Sequence, residues 1–307
     1  MCSRLCSIGV LFVAGLLAAP ASAATLLLRY NFDEAAAGNG PALDSGTGDA
    51  APGLFVGGAT RTSNTPGGFS LGAVDLTTPG GGTFVDGGDP LKLSGITSFT
   101  LTAWINLQGT PTGNLRIMSK QGGGSFPGFS WNVSDPFSGV RAANNFGLRL
   151  FVGGSLTFAG DPVPTGLSIN ADNVWAFIAV SYDGAGGFGN VSYYVGDAVN
   201  PAVLSSNTTI EAGSVNDSTA KFGVGYTDAA PSADTAPPGF LDDIRVYDGV
   251  LTAAEVDGVR QANIPEPMSV ALVLAGVLLQ FCLRRPCQPK APSVSEADHR
   301  PVRRGEN

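Results

Sequence analysis

Residues 239–256, Gly-Phe-Leu-Asp-Asp-Ile-Arg-Val-Tyr-Asp-Gly-Val-Leu-Thr-Ala-Ala-Glu-Val, constrain the fold more than any other stretch. They read as a β-strand, a tight turn, and a short helix that opens at Thr252 as N-cap. Glu255, three residues on, completes a capping box. Phe240, Ile244 and Val246 alternate onto one face of the strand, so that face is expected to lie on a core. Asp242 falls on the same face. A carboxylate there needs a partner, because burying it unpaired is costly or forces it neutral.

Other strands follow the same rule. Leu26, Leu28, Tyr30 and Phe32 share one face of an opening strand, and Phe99, Leu101, Ala103 and Ile105 share one face of another, with Thr100, Thr102 and Trp104 on the opposite face. Segments 71–76, 83–85, 117–120, 128–133, 146–152, 173–184 and 191–196 read as further strands, and 220–225 leads through a Pro-rich loop back to the last one. With 43 glycines, 21 prolines and only 14% charged residues, the chain is built for short strands and tight turns rather than for helical bundles. A hydrophobic content of 43% argues for a packed core over disorder.

The two ends read as addressing segments. Residues 1–23 have a basic start at Arg4, an apolar run over 8–19, and an Ala21-Ser22-Ala23 exit, the pattern of a secretory signal peptide cut by signal peptidase after Ala23. At the other end Ile264-Pro265-Glu266-Pro267 interrupts a helix, because neither proline can sit inside one. An uncharged run over 268–283 follows, then Arg284-Arg285. Its helix would be about 24 Å long at about 1.5 Å per residue, short of a hydrocarbon core of about 30 Å unless the arginines snorkel. Those arginines and the basic tail would stay cytoplasmic, placing the rest outside. The organisation expected is therefore a leader (1–23), one large β-domain (24–262), a sorting and anchor segment (263–285) and a disordered basic tail (286–307).

Between residues 24 and 263 there are 21 acidic against 10 basic side chains, which makes nucleic acid and anionic lipid poor partners for that region. The four cysteines, Cys2, Cys6, Cys282 and Cys287, all lie in the end segments, and the one histidine, His299, lies in the tail. A disulfide framework, Ser-His or Cys-His catalysis and His-ligated zinc are thereby excluded from the β-domain.

Four segments carry a resemblance. Residues 239–256, the opening strand with Asp33-Glu34, the run Leu91-Lys92-Leu93 through Phe99-Thr100-Leu101-Thr102-Ala103-Trp104-Ile105, and Trp175 through Tyr182-Asp183-Gly184 with Tyr193-Tyr194-Val195-Gly196 resemble, in order, the laminin-G-like, concanavalin A-like lectin/glucanase domains. Ala176 and Phe177 stand where that family often has a His pair, a change that belongs to packing. The resemblance implies an all-β, concanavalin A-like jelly-roll β-sandwich, flanked here by the signal peptide and a C-terminal hydrophobic helix. Likewise Pro265, Glu266 and Pro267, the apolar run, and Arg284 and Arg285 resemble the PEP-CTERM sorting signal of Gram-negative-type bacteria, which implies an exosortase-type enzyme as partner.

The family's common calcium site implies Asp33, Asp44 and Asp242 as ligands, since the first and last strands meet in a jelly roll; calcium takes hard oxygens. The alternative is that Asp242 accepts backbone N–H bonds and the other two are solvated turn residues. Its usual non-enzymatic role is carbohydrate binding, for which Trp131, with Phe126, Phe129 and Phe137, beside Asn132, Asp135 and Asn145, would supply stacking platforms. The alternative is that these are core and loop anchors. A glycosidase needs two carboxyls about 5 Å apart in the retaining case, and no Glu-x-Asp-x-x-Glu strand exists here; residues 24–263 contain only Glu34, Glu211 and Glu255. The expected protein is an exported, non-catalytic binding or structural module of the cell surface or extracellular matrix. It would be at least transiently anchored in the inner membrane, stabilised by calcium, and bound to an extracellular polysaccharide. A lectin-like module with one defined sugar, and a glycoside-active enzyme, are the alternatives.

Overall fold

In the computed structural model two antiparallel sheets enclose the core. The described residues are 24–262 without 35–39, 69, 79–81, 110–114, 123–125, 134–145, 161–173, 227 and 229–235. One sheet runs β13 (Val203–Thr208), β12 (Val191–Gly196), β11 (Ala176–Asp183), β6 (Ser98–Leu107), β15 (Gly239–Asp248), β4 (Ala73–Asp75) and β3 (Thr60–Thr62), with β1 (Thr25–Tyr30) also paired to β15. The other runs β10 (Ser155–Gly160), β9 (Phe146–Val152), β8 (Gly128–Val133), β7 (Leu115–Gln121), β14 (Gly223–Val224), β5 (Phe84–Asp86) and β2 (Leu54–Val56). The chain divides into two compact units, Met1–Pro265 and Glu266–Asn307, and every described residue lies in the first.

Alternation explains which side chains meet. Phe99, Leu101, Ala103 and Ile105 of β6 and Ile178, Val180 and Tyr182 of β11 join Ile117, Phe129, Trp131, Leu148 and Leu150 from the facing sheet in one buried cluster. Trp104 points the other way. On the outer face it meets Phe177 edge-on at 5.5 Å, and the two belong to a second cluster with Tyr247, Leu251 and Val256. That cluster seats α1 (Ala253–Gln261) on the sheet. The helix opens as its sequence dictates: the Thr252 side chain accepts from Glu255 N, and the Glu255 carboxylate accepts from Thr252 N at 2.7 Å.

One expectation is corrected on β15. Phe240, Ile244 and Val246 do not share a face, because the register on β6 shifts between Asp242 and Arg245 and Asp243 turns to φ +46°. A bulge reverses the phase of a strand. Leu241, Ile244 and Val246 therefore face the core, while Phe240 pairs with Asn106 and Asp242 with Trp104 on the outer side. Ahead of the bulge β15 pairs with β4, and beyond it with β1. A second irregularity between Leu26 and Leu28 likewise takes Leu26 off the core face, where Leu28 and Tyr30 remain. No described helix is long and apolar enough to cross a membrane. The signal peptide, the Pro265-Glu266-Pro267 motif, the hydrophobic helix and Arg284-Arg285 lie outside the described residues.

Candidate functional site

Trp131 is not a surface platform. Phe129, Trp131 and Val133 are alternate residues of β8 that all face the opposite sheet, so Trp131 is fully buried against Phe146, ring centroids 6.2 Å apart. Asn132 is buried as well, its Oδ1 accepting from Ser130 Oγ at 2.5 Å. Asp135 lies outside the described residues. The stacking surface expected at Trp131 and Asn132 is thus core packing, the outcome that strict alternation favours for an aromatic in a central strand.

Of the three carboxylates expected to converge, two come together. Asp33 Oδ1 accepts from Leu71 N at 2.6 Å and Gly72 N at 3.1 Å, and its Oδ2 accepts from Asn31 Nδ2 at 2.9 Å. Asp242 Oδ2 accepts from Ser70 Oγ at 2.5 Å and its Oδ1 from Asp243 N at 2.6 Å. Burial pushes the Asp242 carboxyl well above the usual range, and the nearby charges of Asp243 and Asp33 push the same way. Asp44 stands apart: Oδ1 accepts from Arg29 N and Gly46 N, and Oδ2 from Ala51 N and the Lys92 ammonium. Its lone pairs are taken by one cation and three amides, so it is a turn-former and ion-pair partner, not a third ligand. Among the described residues no group of three or more acidic, histidine or cysteine side chains converges as a metal cluster would. Asp243, adjacent and at a positive φ, is buried between Arg29 Nε at 2.8 Å and Arg245 Nε at 2.8 Å.

The feature that motif reading missed is a pocket of about 380 Å³ between the segment 49–54 and the turn 86–90. Gly87 and Gly88 lie along it, held against Phe222, the residue before β14, by Gly87 N to Phe222 O (2.8 Å) and Phe222 N to Gly88 O (2.6 Å). Gly87 admits no side chain, since a Cβ there would sit 2.6 Å from Tyr30 Oη and 2.9 Å from Phe222 Cδ1. Asp49, Asp86 and Asp89 supply carboxylates, Lys221 an ammonium, and Pro52, Leu54 and Pro90 apolar surface. Leu54 is 53% exposed there. Asp86 holds Gly88 N at 2.9 Å through one oxygen and Lys221 Nζ at 2.6 Å through the other. Behind Asp89 the almost fully buried Lys120 donates to it at 2.5 Å and to the carbonyls of Ser218 and Ala220. The only signal in the sequence is Asp86-Gly87-Gly88-Asp89-Pro90, which reads as a turn.

A family model described as the concanavalin A-like lectin/glucanases superfamily matches residues 79–257. No curated protein matches the chain in sequence. Among solved structures it is similar to the botulinum neurotoxin serotype G binding domain (TM-score 0.53, 13% identity, covering 76% of this chain and 50% of that one). It is also similar to domain 4 of AbnA, a GH43 extracellular arabinanase from Geobacillus stearothermophilus, in complex with arabinotriose (TM-score 0.50, 18% identity, 77% and 98% covered). A third is the botulinum neurotoxin serotype D ligand binding domain in complex with N-acetylneuraminic acid (TM-score 0.51, 12% identity, 78% and 51% covered). The chain spans about half the length of the neurotoxin domains, and identities this low show the fold alone.

Proposed function

The chain belongs to the concanavalin A-like lectin/glucanases superfamily, and from that premise we propose that it is an exported, non-catalytic carbohydrate-binding module whose ligand enters the pocket between residues 49–54 and 86–90. The observation that carries this is the pocket's composition. A sugar ring has an apolar C–H face and a rim of hydroxyls; it calls for a concave site with some apolar surface and a few fixed polar groups. Pro52, Leu54 and Pro90 beside Asp49, Asp86, Asp89 and Lys221 are that combination. One of the similar structures, almost wholly covered by this chain, is a sugar complex, with arabinotriose. A pull-down of the full chain on insoluble polysaccharides tests the reading; retention that Ala50→Trp abolishes is expected, Ala50 being an exposed residue of the pocket wall.

A non-catalytic role rests on the missing Glu-x-Asp-x-x-Glu strand and on the position of Asp242. Its carboxyl is pushed up as a general acid's would be, yet it does not line the pocket. Release of reducing sugar from any retained polysaccharide would replace this reading with the glycosidase alternative.

Calcium fits in part. Asp33 and Asp242 are two carboxylates that repel each other across a buried position, and among the described residues Asp242 has no cationic partner. They are the residues that would hold the ion, which would supply the positive charge this corner lacks. Asp44 would not take part. Differential scanning calorimetry with calcium against chelator tests this; an identical melting temperature in both would remove the metal.

Sorting through Pro265, Glu266 and Pro267 by an exosortase-type enzyme, after signal peptidase removes 1–23, completes the proposal and puts the module at the cell surface or in the matrix. It rests on those residues, the apolar run and Arg284-Arg285. Mass spectrometry of the mature protein should find a start at Ala24 and an end near Pro267; an intact 307-residue chain would overturn it.

A further inference from the structure

The charges around the pocket specify which sugars it takes. Three carboxylates line it, Asp49, Asp86 and Asp89, and a fourth, Asp228, stands beside Lys221, whose backbone N–H it accepts at 2.8 Å. Against these four stand two ammonium groups. Lys120 is committed to Asp89 and two carbonyls, and is only 2% exposed. Lys221 is committed to Asp86 at 2.6 Å, and that hydrogen bond and charge, with a contribution from Asp228, hold its proton more firmly than an ordinary lysine's. Asp49 is left with no cationic partner among the described residues. Its oxygens accept only the backbone N–H groups of Leu91 at 3.2 Å and Lys92 at 3.3 Å, because the Lys92 ammonium is turned to Asp44.

Resting on the carbohydrate-binding reading, we infer that this pocket selects amine-bearing sugars, accepts neutral ones more weakly, and rejects acidic ones. A uronate or sialate carboxylate would enter a site with two more negative than positive groups, and to find a cation it would have to displace Asp86 from Lys221. Hydroxyl groups can donate to the carboxylates without that competition. A protonated sugar amine does so with opposite charge, and Asp49, exposed on the pocket wall, is its natural partner. Lys221 does not repel it fully, since its charge is already matched by Asp86.

Calorimetric titration of the full chain at low ionic strength, with tetramers of glucosamine, N-acetylglucosamine and galacturonic acid, tests the inference. The glucosamine tetramer should bind tightest, the acetylated one more weakly, and the galacturonate give no heat. Asp49→Asn should lose about three- to fivefold of the glucosamine affinity, as expected for one exposed charge pair, and leave the acetylated tetramer's affinity unchanged. Asp248→Asn, at an exposed acid that does not line the pocket, should change neither. Equal losses in both variants would mean adsorption to an acidic protein, and would overturn the inference. So would equal binding of the galacturonate, or indifference to Asp49→Asn. If acetylated or neutral sugars bind and only the amine preference is missing, the carbohydrate reading survives without this refinement. If the tetramers give no heat and no polysaccharide retains the chain, both fall.

Discussion

At Asp242 a single carboxyl ties folding to pH. Its folded-state pKa is raised by burial, and by Asp243 and Asp33, so between the ordinary carboxylate range and that raised value the folded chain holds a proton the unfolded chain has released. Stability therefore falls as pH rises through this window, in the absence of metal. Asp242→Asn should flatten that slope and raise the melting temperature at neutral pH in chelator by about 2–4 °C, measured by thermal denaturation across the window. The variant should also lose any gain that calcium gives the native chain. Gly87 is the opposite kind of position. Gly87→Ala drives a methyl into Tyr30 Oη, which donates to Ala51 O at 2.5 Å, and into the Phe222 ring. A loss of about 1–3 kcal/mol is expected, read from urea denaturation. Neither position was legible as such. The sequence shows that Asp242 sits in a strand and Gly87 in a turn; which face the first occupies and what lies above the second depend on a bulge and on Tyr30, 57 positions away in the chain.

At the scale of elements, legibility follows length and burial. β6, β8, β9, β11 and β12 carry enough alternating apolar residues to be read directly, as does α1 from its cap. β2, β3 and β14, of three residues or two, are too short for alternation to show. β13 is a half-exposed edge strand with the sequence Val-Leu-Ser-Ser-Asn-Thr, whose hydrogen bonds rather than its side chains define it. The capping box of α1 makes a testable case of an element read correctly. Thr252→Ala removes the acceptor for Glu255 N and one donor to the Glu255 carboxylate, and should cost about 1 kcal/mol in chemical denaturation. The backbone and hydroxyl donors of Thr252 hold the Glu255 carboxyl below its usual range. Its contribution is therefore complete above the ordinary glutamate range and is lost as pH falls through its own lowered pKa. The difference between native and variant chains should shrink in acid accordingly.

Taken whole, the two hydrophobic clusters of the described residues run from Ala24 to Val259. The pocket shows why its place in the molecule stayed hidden from the sequence: it is assembled from residues 49–54, 86–90 and 221, three turns that only the closed sandwich brings side by side. The pairing of β1 with β15 carries a mechanical consequence. Thr25 lies opposite Asp248 and Ala24 packs near Gly249, so the two ends of the sandwich are laced into one seam. β15, which leads into α1, is hydrogen-bonded along both edges, to β6 and to β1, so freeing it breaks two rows of bonds rather than one. A domain held by its tail in flowing surroundings would resist extraction at its most firmly fastened strand.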